Sequence, residues 1–178
     1  DDPDDAAVGH AGRGTVGSGA LVLGPRAQDI VVDAPPGVLP HGDAAFSIAL
    51  WIEDMAAAEI VYGANRIRLG PDMAHEVAGV EHAIPPGDTR GWHHHAFTWD
   101  PATRALSAYR DGREVTRDAV TGGTGLGGAV TRLRLRHLHA NPTDRFAVDD
   151  LRVYPRALPP LEVAALAAAR WQAADVGG

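Results

Sequence analysis

Apolar and polar residues alternate along most of the chain, in short runs separated by Pro, Gly and Asp. Successive side chains on a β-strand point to opposite faces, so alternation with a period of two predicts half-buried strands. In the run FSIALWIE, one face carries only apolar residues and is expected to point into the core: Phe46, Ile48, Leu50 and Ile52. Runs of this kind predict roughly eleven strands. They lie at 20–23, 29–34, 45–53, 59–63, 66–70, 75–83, 92–100, 105–112, 113–120, 131–139 and 145–154.

Turn residues connect these runs and indicate the fold class. The stretch TWDPATRALSAYRDGREV contains an Asp-Pro pair and then an Asp-Gly pair, each typical of a tight turn between antiparallel strands. The glycine-rich stretch at 122–128 predicts a long connection of the Greek-key type. Only PPLEVAALAAARWQAA, at 159–174, has helical character, with its prolines in the first turn. Many strands, one terminal helix and no repeats predict an all-β sandwich.

Composition bounds the size of the domain and its partners. The chain has 178 residues and is 45% hydrophobic, which suits one well-buried domain. Residues 1–18 are acidic and then glycine-rich, and predict a flexible arm before a domain at 19–174. A formal charge of −7 argues against nucleic acid as the main partner. No apolar run approaches the ~18 residues that membrane insertion requires. Because the chain starts at Asp1 without methionine, we expect it to be part of a larger multidomain chain.

Three pieces of the sequence, in this order, resemble a known family. The opening strands GALVLG, DIVVDAP and FSIALWI come first, followed by WHHHAFTWDPATRALSAYRDGREV and then RFAVDDLRVYPRALPPLEVAALA. Together they resemble the laminin-G-like, concanavalin-A-like jelly-roll domains that are common in bacterial extracellular proteins. The resemblance implies two stacked antiparallel sheets with one short C-terminal helix, beginning here at about residue 159. It also implies a carbohydrate-binding or adhesion module, often with calcium at the rim.

The acidic pair Asp149 and Asp150 matches the pair that opens the last strand in this family, and the resemblance implies calcium there. On a regular strand the two carboxylates point opposite ways, so at most one would bind through its side chain. The chain departs from the family at Leu23-Gly24-Pro25, where many members carry an acidic residue. The Gly24 carbonyl is then the remaining ligand candidate, because calcium binds carbonyl oxygens as well as carboxylates. The alternative is that Asp149 caps backbone amides.

The stretch GWHHHAFTWD raises a second metal hypothesis. His93 and His95 share a strand face with Phe97 and Trp99, and His137 and His139 share one with Leu133 and Leu135. If the two strands were neighbours, their imidazoles could converge on zinc or copper. Cysteine is absent from the chain, so a thiolate site is excluded. The alternative is a set of buried neutral histidines.

Two surfaces are candidates for ligand binding. Arg132, Arg134 and Arg136 form an outward stripe suited to sulfate or carboxylate groups, unless it is simply a solvated sheet face. Arg152 would extend the stripe if the strands align. The aromatic candidates for a sugar ring are Trp92, Tyr62, Tyr109 and Tyr154. Trp51 lies on the outer face of its strand, where we expect it to pack under a loop or arm that crosses that face; the alternative is that it joins the sugar-binding candidates.

These observations favour a non-enzyme. Glycosidases on this fold need paired carboxylates, but Glu53 and Asp54 are adjacent and point to opposite faces. The predicted function is a binding module of an exported or cell-surface protein, with the periplasm as an alternative location. Its predicted partner is a glycan or a surface protein, with calcium as a possible cofactor. The alternative function is a structural or protein-interaction domain of a larger surface assembly, with no small ligand.

Overall fold

The computed structural model describes residues 8–11, 20–23, 29–33, 39, 42–53, 58–70, 73–88, 90–122, 130–138 and 146–174. These residues form thirteen strands and one α-helix, α1 (Pro160–Ala174). The strands make two sheets in which every pairing is antiparallel. The all-β jelly-roll sandwich with one C-terminal helix is therefore confirmed. No helix within the described ranges is long and apolar enough to cross a membrane.

One sheet, sheet A, has seven strands. In spatial order they are β1 (Val8–Ala11), β2 (Ala20–Leu23), β13 (Phe146–Tyr154), β4 (Phe46–Glu53), β9 (Trp92–Asp100), β10 (Ala105–Arg110) and β11 (Arg113–Ala119). The other, sheet B, has six: β3 (Asp29–Asp33), β12 (Arg132–His137), β5 (Ala58–Tyr62), β6 (Asn65–Leu69), β7 (Ala74–Val77) and β8 (Val80–Ala83). Late strands lie between early ones in both sheets: β13 between β2 and β4, and β12 between β3 and β5. Greek-key connections produce this order.

The main core lies between the two sheets. Phe46 of sheet A and Tyr62 of sheet B meet edge to face, with ring centroids 5.3 Å apart. The apolar row of FSIALWIE is completely buried in this core, as its alternation predicts. Leu133 and Leu135 of β12 are buried there too, so the inward face of that strand is also confirmed.

Two elements differ from the predicted ones. The run at 75–83 is not one strand but the hairpin β7–β8, because Ala78 and Gly79 have positive φ angles of 52° and 78° and reverse the chain. Within the predicted arm, Val8–Ala11 pairs with β2 in the register Val8↔Leu23 to Ala11↔Ala20. The arm prediction is corrected for these four residues, since backbone pairing to an edge strand requires no side-chain pattern. Residues 123–129 lie outside the described residues.

Helix α1 covers part of the outer face of sheet A. Val163 and Leu158 pack with Ala49, Ala96 and Tyr109 in a second, smaller apolar cluster. The segment before the helix is held by one buried hydroxyl. Ser47 donates to the carbonyl of Arg156 and accepts from the backbone N–H of Leu158, each at 2.9 Å.

The two-residue turn between β10 and β11 sets how closely the helix approaches. Asp111 and Gly112 both have positive φ, 49° and 78°, as in a type I′ turn. A Cβ at Gly112 would lie 2.9 Å from the Cα of Ala164, so α1 and the turn meet backbone to backbone.

This contact predicts a difference between two glycine-to-alanine variants. Gly79→Ala and Gly112→Ala both place alanine at a φ of +78°, which costs about 1–2 kcal/mol. Only Gly112→Ala also forces α1 away from the turn, because nothing lies within 4 Å of a Cβ at Gly79. We expect the unfolding free energy from urea titration to fall by at least ~1 kcal/mol more for Gly112→Ala. Equal losses would show that the helix does not press on the turn.

Candidate functional site

A cavity of about 440 Å³ lies on the outer face of sheet A beside α1. On the sheet side it is lined by Trp51, Trp92, His93 and Asp111. On the helix side it is lined by Ala164, Ala167 and Ala168. We call it the Trp cavity. It exists because three alanine methyl groups do not fill the space above two indole rings.

The strand register places both tryptophans on the same face. Trp51 of β4 pairs with His94 of β9, and Glu53 pairs with Trp92 two residues further along each strand. Residues that face each other in register, or lie two apart on one strand, point to the same side of the sheet. Trp51 is 3% exposed and meets the His94 ring edge to face at 5.3 Å, whereas Trp92 is half-buried. The predicted candidate Trp92 thus lies at the cavity, and the buried Trp51 faces helix α1 across it rather than a loop or arm.

Asp111 supplies the fixed polar group of the Trp cavity. Its Oδ1 accepts from the backbone N–H of His94 at 3.0 Å, and its Oδ2 lies 2.8 Å from Nδ1 of His93. The backbone N–H of Asp111 donates in turn to the carbonyl of His94 at 2.8 Å. These contacts hold the carboxylate in place while 47% of the side chain stays exposed. It can accept further hydrogen bonds from a ligand, since each carboxylate oxygen has more than one lone pair.

Of the histidine run, His95 points into the core and His93 lies at the rim. His93 completes its contacts through Nε2, which lies 3.0 Å from the carbonyl of Arg90. The other predicted pair is on β12, which belongs to sheet B, so the two strands are not neighbours. The transition-metal hypothesis required the two histidine-bearing strands to be neighbours, and this requirement is not met. Among the described residues, no three His, Asp or Glu side chains are grouped to hold a metal, while the side chains of His137 and His139 lie outside them.

Burial keeps three histidines neutral. Desolvation lowers the pKa of His94 to about 4 and that of His95 to about 3. The same cause lowers the pKa of His75 to about 3, where its Nε2 hydrogen-bonds with the Tyr62 hydroxyl in the core. Of the predicted pairs, His95 is buried and neutral but neither of its ring nitrogens has a hydrogen-bond partner, and His93 is only half-buried.

The predicted calcium ligands lie at a β-bulge. The pairing of β13 with β4 shifts between Asp149, opposite Trp51, and Arg152, opposite Ala49. Asp149 therefore lies on the outer face with Arg152. Regular alternation would place it with Leu151 and Val153, and this expectation is wrong because the bulge inserts an extra residue into β13. Oδ1 of Asp149 accepts from the backbone N–H of Asp150 at 2.8 Å, which is the capping role.

Asp150 fits a cation poorly. Its Oδ1 accepts from Nε of Arg152 at 2.6 Å, so a positive charge already neutralises it. Its positive φ of 51° is part of the bulge. Gly24 lies outside the described residues, and the calcium site at Asp149, Asp150 and Gly24 remains a prediction.

The predicted arginine stripe lies on the outer face of sheet B and forms ion pairs there. Arg132 donates to Asp33 at 2.7 Å, and Arg136 pairs with Glu59 at 3.3 Å. Arg134 lies between them on the same face. Arg152 belongs to sheet A and does not extend the stripe.

Two other aromatic candidates are not part of the Trp cavity: Tyr62 is completely buried in the main core, so that prediction is wrong, and Tyr109 lies elsewhere on the outer face. It is buried beneath the start of α1, and its hydroxyl donates to Glu114 at 3.0 Å. It lines a separate cavity of about 210 Å³ with Arg117 and Pro159.

Sequence reasoning missed Asp111 and the alanines of α1 as cavity residues. The Asp-Gly turn was visible, and a carboxylate at that turn was the available clue. Nothing in the local pattern indicated that a helix some fifty residues later returns to cover the same face, because that depends on packing between distant elements.

Comparisons with known proteins agree with this architecture. A laminin G model described as the concanavalin A-like lectin/glucanases superfamily matches residues 60–164, more than half of the chain. No curated protein matches the chain by sequence.

Several solved structures share the fold. The binding domain of botulinum neurotoxin serotype G has a TM-score of 0.68 at 14% identity, over 87% of this chain and 44% of that one. The binding domain of botulinum neurotoxin DC, solved with rat synaptotagmin II, has a TM-score of 0.67 at 13% identity, over 92% of this chain and 46% of that one. The same domain solved with SialylT has a TM-score of 0.68 at 12% identity, over 92% of this chain and 45% of that one. This chain spans less than half the length of each, and identities this low establish the fold alone.

The buried histidines predict a loss of stability on acidification. His75, His94 and His95 titrate near 3–4 when folded but near their usual 6.5 when unfolded, so the unfolded chain binds more protons in between. Their contribution to the free energy of unfolding is complete above pH 6.5. It falls as the pH drops towards 4, by up to ~1.4 kcal/mol per pH unit for each ring. Urea unfolding at pH 7.5, 6 and 5 measures this slope. His95→Leu should lower the slope by about one ring's share, whereas a flat profile from pH 6.5 to 5 would contradict neutral burial.

Proposed function

Because the chain belongs to the concanavalin A-like lectin/glucanases superfamily, we propose that it is a non-catalytic module that binds a glycan in the Trp cavity. The observation that carries the proposal is the pair of tryptophans facing a fixed, half-exposed carboxylate. Sugar rings present an apolar C–H face and a rim of hydroxyls. An indole and a carboxylate complement these two features.

The size and lining of the Trp cavity support this proposal. Its volume, about 440 Å³, falls in the range of roughly 300–1,000 Å³ typical of small-ligand pockets. Apolar walls from Trp51, Trp92 and the alanine methyls remove water from the ligand, and Asp111, held in place by His93, orients its hydroxyls. A few fixed polar groups in an apolar cavity are the usual basis of orientation and specificity.

The same lining supports a non-catalytic role. Hydrolysis of a glycosidic bond generally uses two carboxyl groups about 5–10 Å apart on either side of the bond. Among the described residues that line the Trp cavity, Asp111 is the one carboxylate. Its oxygens hold His93 and the backbone of His94, which suits a positioning group in a binding site.

The wider context belongs to the same proposal. We place the module in a larger bacterial protein that is exported or exposed at the cell surface, with a glycan or a surface protein as its partner. Its structural neighbours include a toxin binding domain solved with SialylT and with synaptotagmin II, which supports either class of partner.

The protein-interaction alternative is favoured by one observation. Val31 and Val32 of β3 are 44% and 37% exposed, and β3 is the last strand of sheet B in the described part of the chain. An exposed apolar edge strand can pair with a strand of another protein. If the domain works this way, Val31→Lys should abolish an association seen by analytical ultracentrifugation, with glycan binding absent.

Two variants test the Trp cavity. Trp92→Ala removes a sugar-stacking surface, and Ala168→Leu, at an exposed helix position, fills the cavity without disturbing the core. We expect each to weaken binding of glycans identified on an array at least tenfold, measured by calorimetry. The matched control is Ala165→Leu, an exposed alanine of the same helix outside the cavity lining. Unchanged affinity in Ala168→Leu would place the glycan elsewhere.

Calcium dependence has its own test. Thermal unfolding with calcium, with chelator and with zinc would reveal a site in the folded state, because a ligand that binds only the folded form raises Tm. If calcium binds near the bulge, we expect Tm to rise by several degrees with calcium and not in Asp149→Asn. Asparagine keeps the oxygen that accepts from Asp150 N–H, so this variant removes charge without removing the cap. An equal rise in the variant would exclude Asp149 as a ligand.

A further inference from the structure

A row of basic side chains crosses one end of sheet A on its inner face. Arg110 of β10 lies directly opposite His95 of β9 on one side and Arg113 of β11 on the other. Cross-strand partners share a face, and Arg110 follows the inward-facing Leu106 and Ala108 at the strand period of two. We call His95, Arg110 and Arg113 the rim row.

The Arg110 guanidinium is partly enclosed and incompletely paired. Its Nε is buried without a hydrogen-bond partner, and its Nη2 lies 2.9 Å from the sulfur of Met73, a weak acceptor. A Cβ at Gly87 would overlap Nη1, so the guanidinium occupies the space that a side chain would take there. Gly87 is exposed and Arg110 is half-buried, so the guanidinium lies near the surface of the domain.

His95 adds two more unsatisfied atoms. It is completely buried, and neither Nδ1 nor Nε2 has a hydrogen-bond partner. After burial, the charge of Arg110 is the largest cause that lowers the pKa of His95, so the two groups act on each other. A buried polar side chain with both nitrogens unpaired is uncommon in a folded core.

No carboxylate neutralises the row within the described residues. The ion pairs found there involve neither Arg110 nor Arg113. The adjacent carboxylate, Asp111, is engaged by His93 and the backbone of His94. Like charges directly opposite each other on paired strands repel, and an enclosed cation without a counter-ion is costly.

We propose that the rim row binds the oxyanion of a carboxylate or sulfate group. Guanidinium groups from two strands offer planar pairs of N–H donors, which match the geometry of such an oxyanion. Neutral His95 donates from one ring nitrogen. The anion satisfies Nε of Arg110 and removes the repulsion between the two arginines. This site is separate from the Trp cavity and holds whether or not a glycan binds there.

The test is a titration of the labelled protein with sodium sulfate, sodium acetate and sodium chloride at equal ionic strength. The readouts are the Nε–Hε resonance of Arg110 and the Tm. A specific site gives a response that saturates by mass action, whereas exclusion of sulfate from the surface stabilises without saturating. A tighter response to sulfate or to acetate identifies which oxyanion the row prefers.

Three variants distinguish the site from general charge effects. Arg110→Gln should weaken the apparent affinity at least tenfold, as expected for loss of charge-assisted hydrogen bonds. His95→Leu, which fits the apolar surroundings of its partner Leu50, should weaken it severalfold while the protein stays folded. The matched control, Arg66→Gln on the outer face of sheet B, removes the same charge and should bind as the wild type. The proposal is overturned if the wild type shows no saturable response, or if Arg110→Gln keeps wild-type affinity.

Discussion

The two-residue turn between β10 and β11 is the constraint on which the binding face depends. Positive φ at Asp111 and Gly112 keeps the turn tight, and glycine at the second position lets α1 approach to backbone contact. The same turn directs the Asp111 carboxylate onto the start of β9, where it holds His93 and the backbone of His94. A longer connection would move the carboxylate and the helix together, because both are positioned by the same pair of residues.

Side-chain alternation predicted which faces are buried, and backbone irregularities limited that prediction. FSIALWIE was assigned correctly because its strand is regular from end to end. A bulge after Asp149 placed that residue on the same face as Arg152, and at Ala78–Gly79 a tight turn divided a predicted strand. The Trp cavity was found only in part. Trp92 was identifiable as an aromatic on an outward face, but its neighbours Asp111 and Ala168 come from a turn and a helix that only tertiary packing brings together.

The arginines show why residue type and spacing alone are weak evidence for a binding site. The regular stripe on β12 is the more conspicuous pattern, yet Arg132 and Arg136 face Asp33 and Glu59 across neighbouring strands. Arg110 belongs to no visible pattern, because its neighbours on the sheet come from other strands. Whether a guanidinium has a counter-charge is decided by strand order, which cannot be read from a single strand.

The alanine lining of the Trp cavity has a consequence for how this domain can diversify. One wall is a rigid sheet whose strands also build the core, and the other is a single helix whose cavity-facing residues end in methyl groups. A larger side chain at the exposed Ala168 would reshape the ligand space in steps of one or a few carbon atoms and leave the sandwich intact, whereas Ala164 and Ala167 pack against the Gly112 turn. Position 168 is therefore the point on the helix wall where the ligand space can change shape with least effect on the packing of the domain.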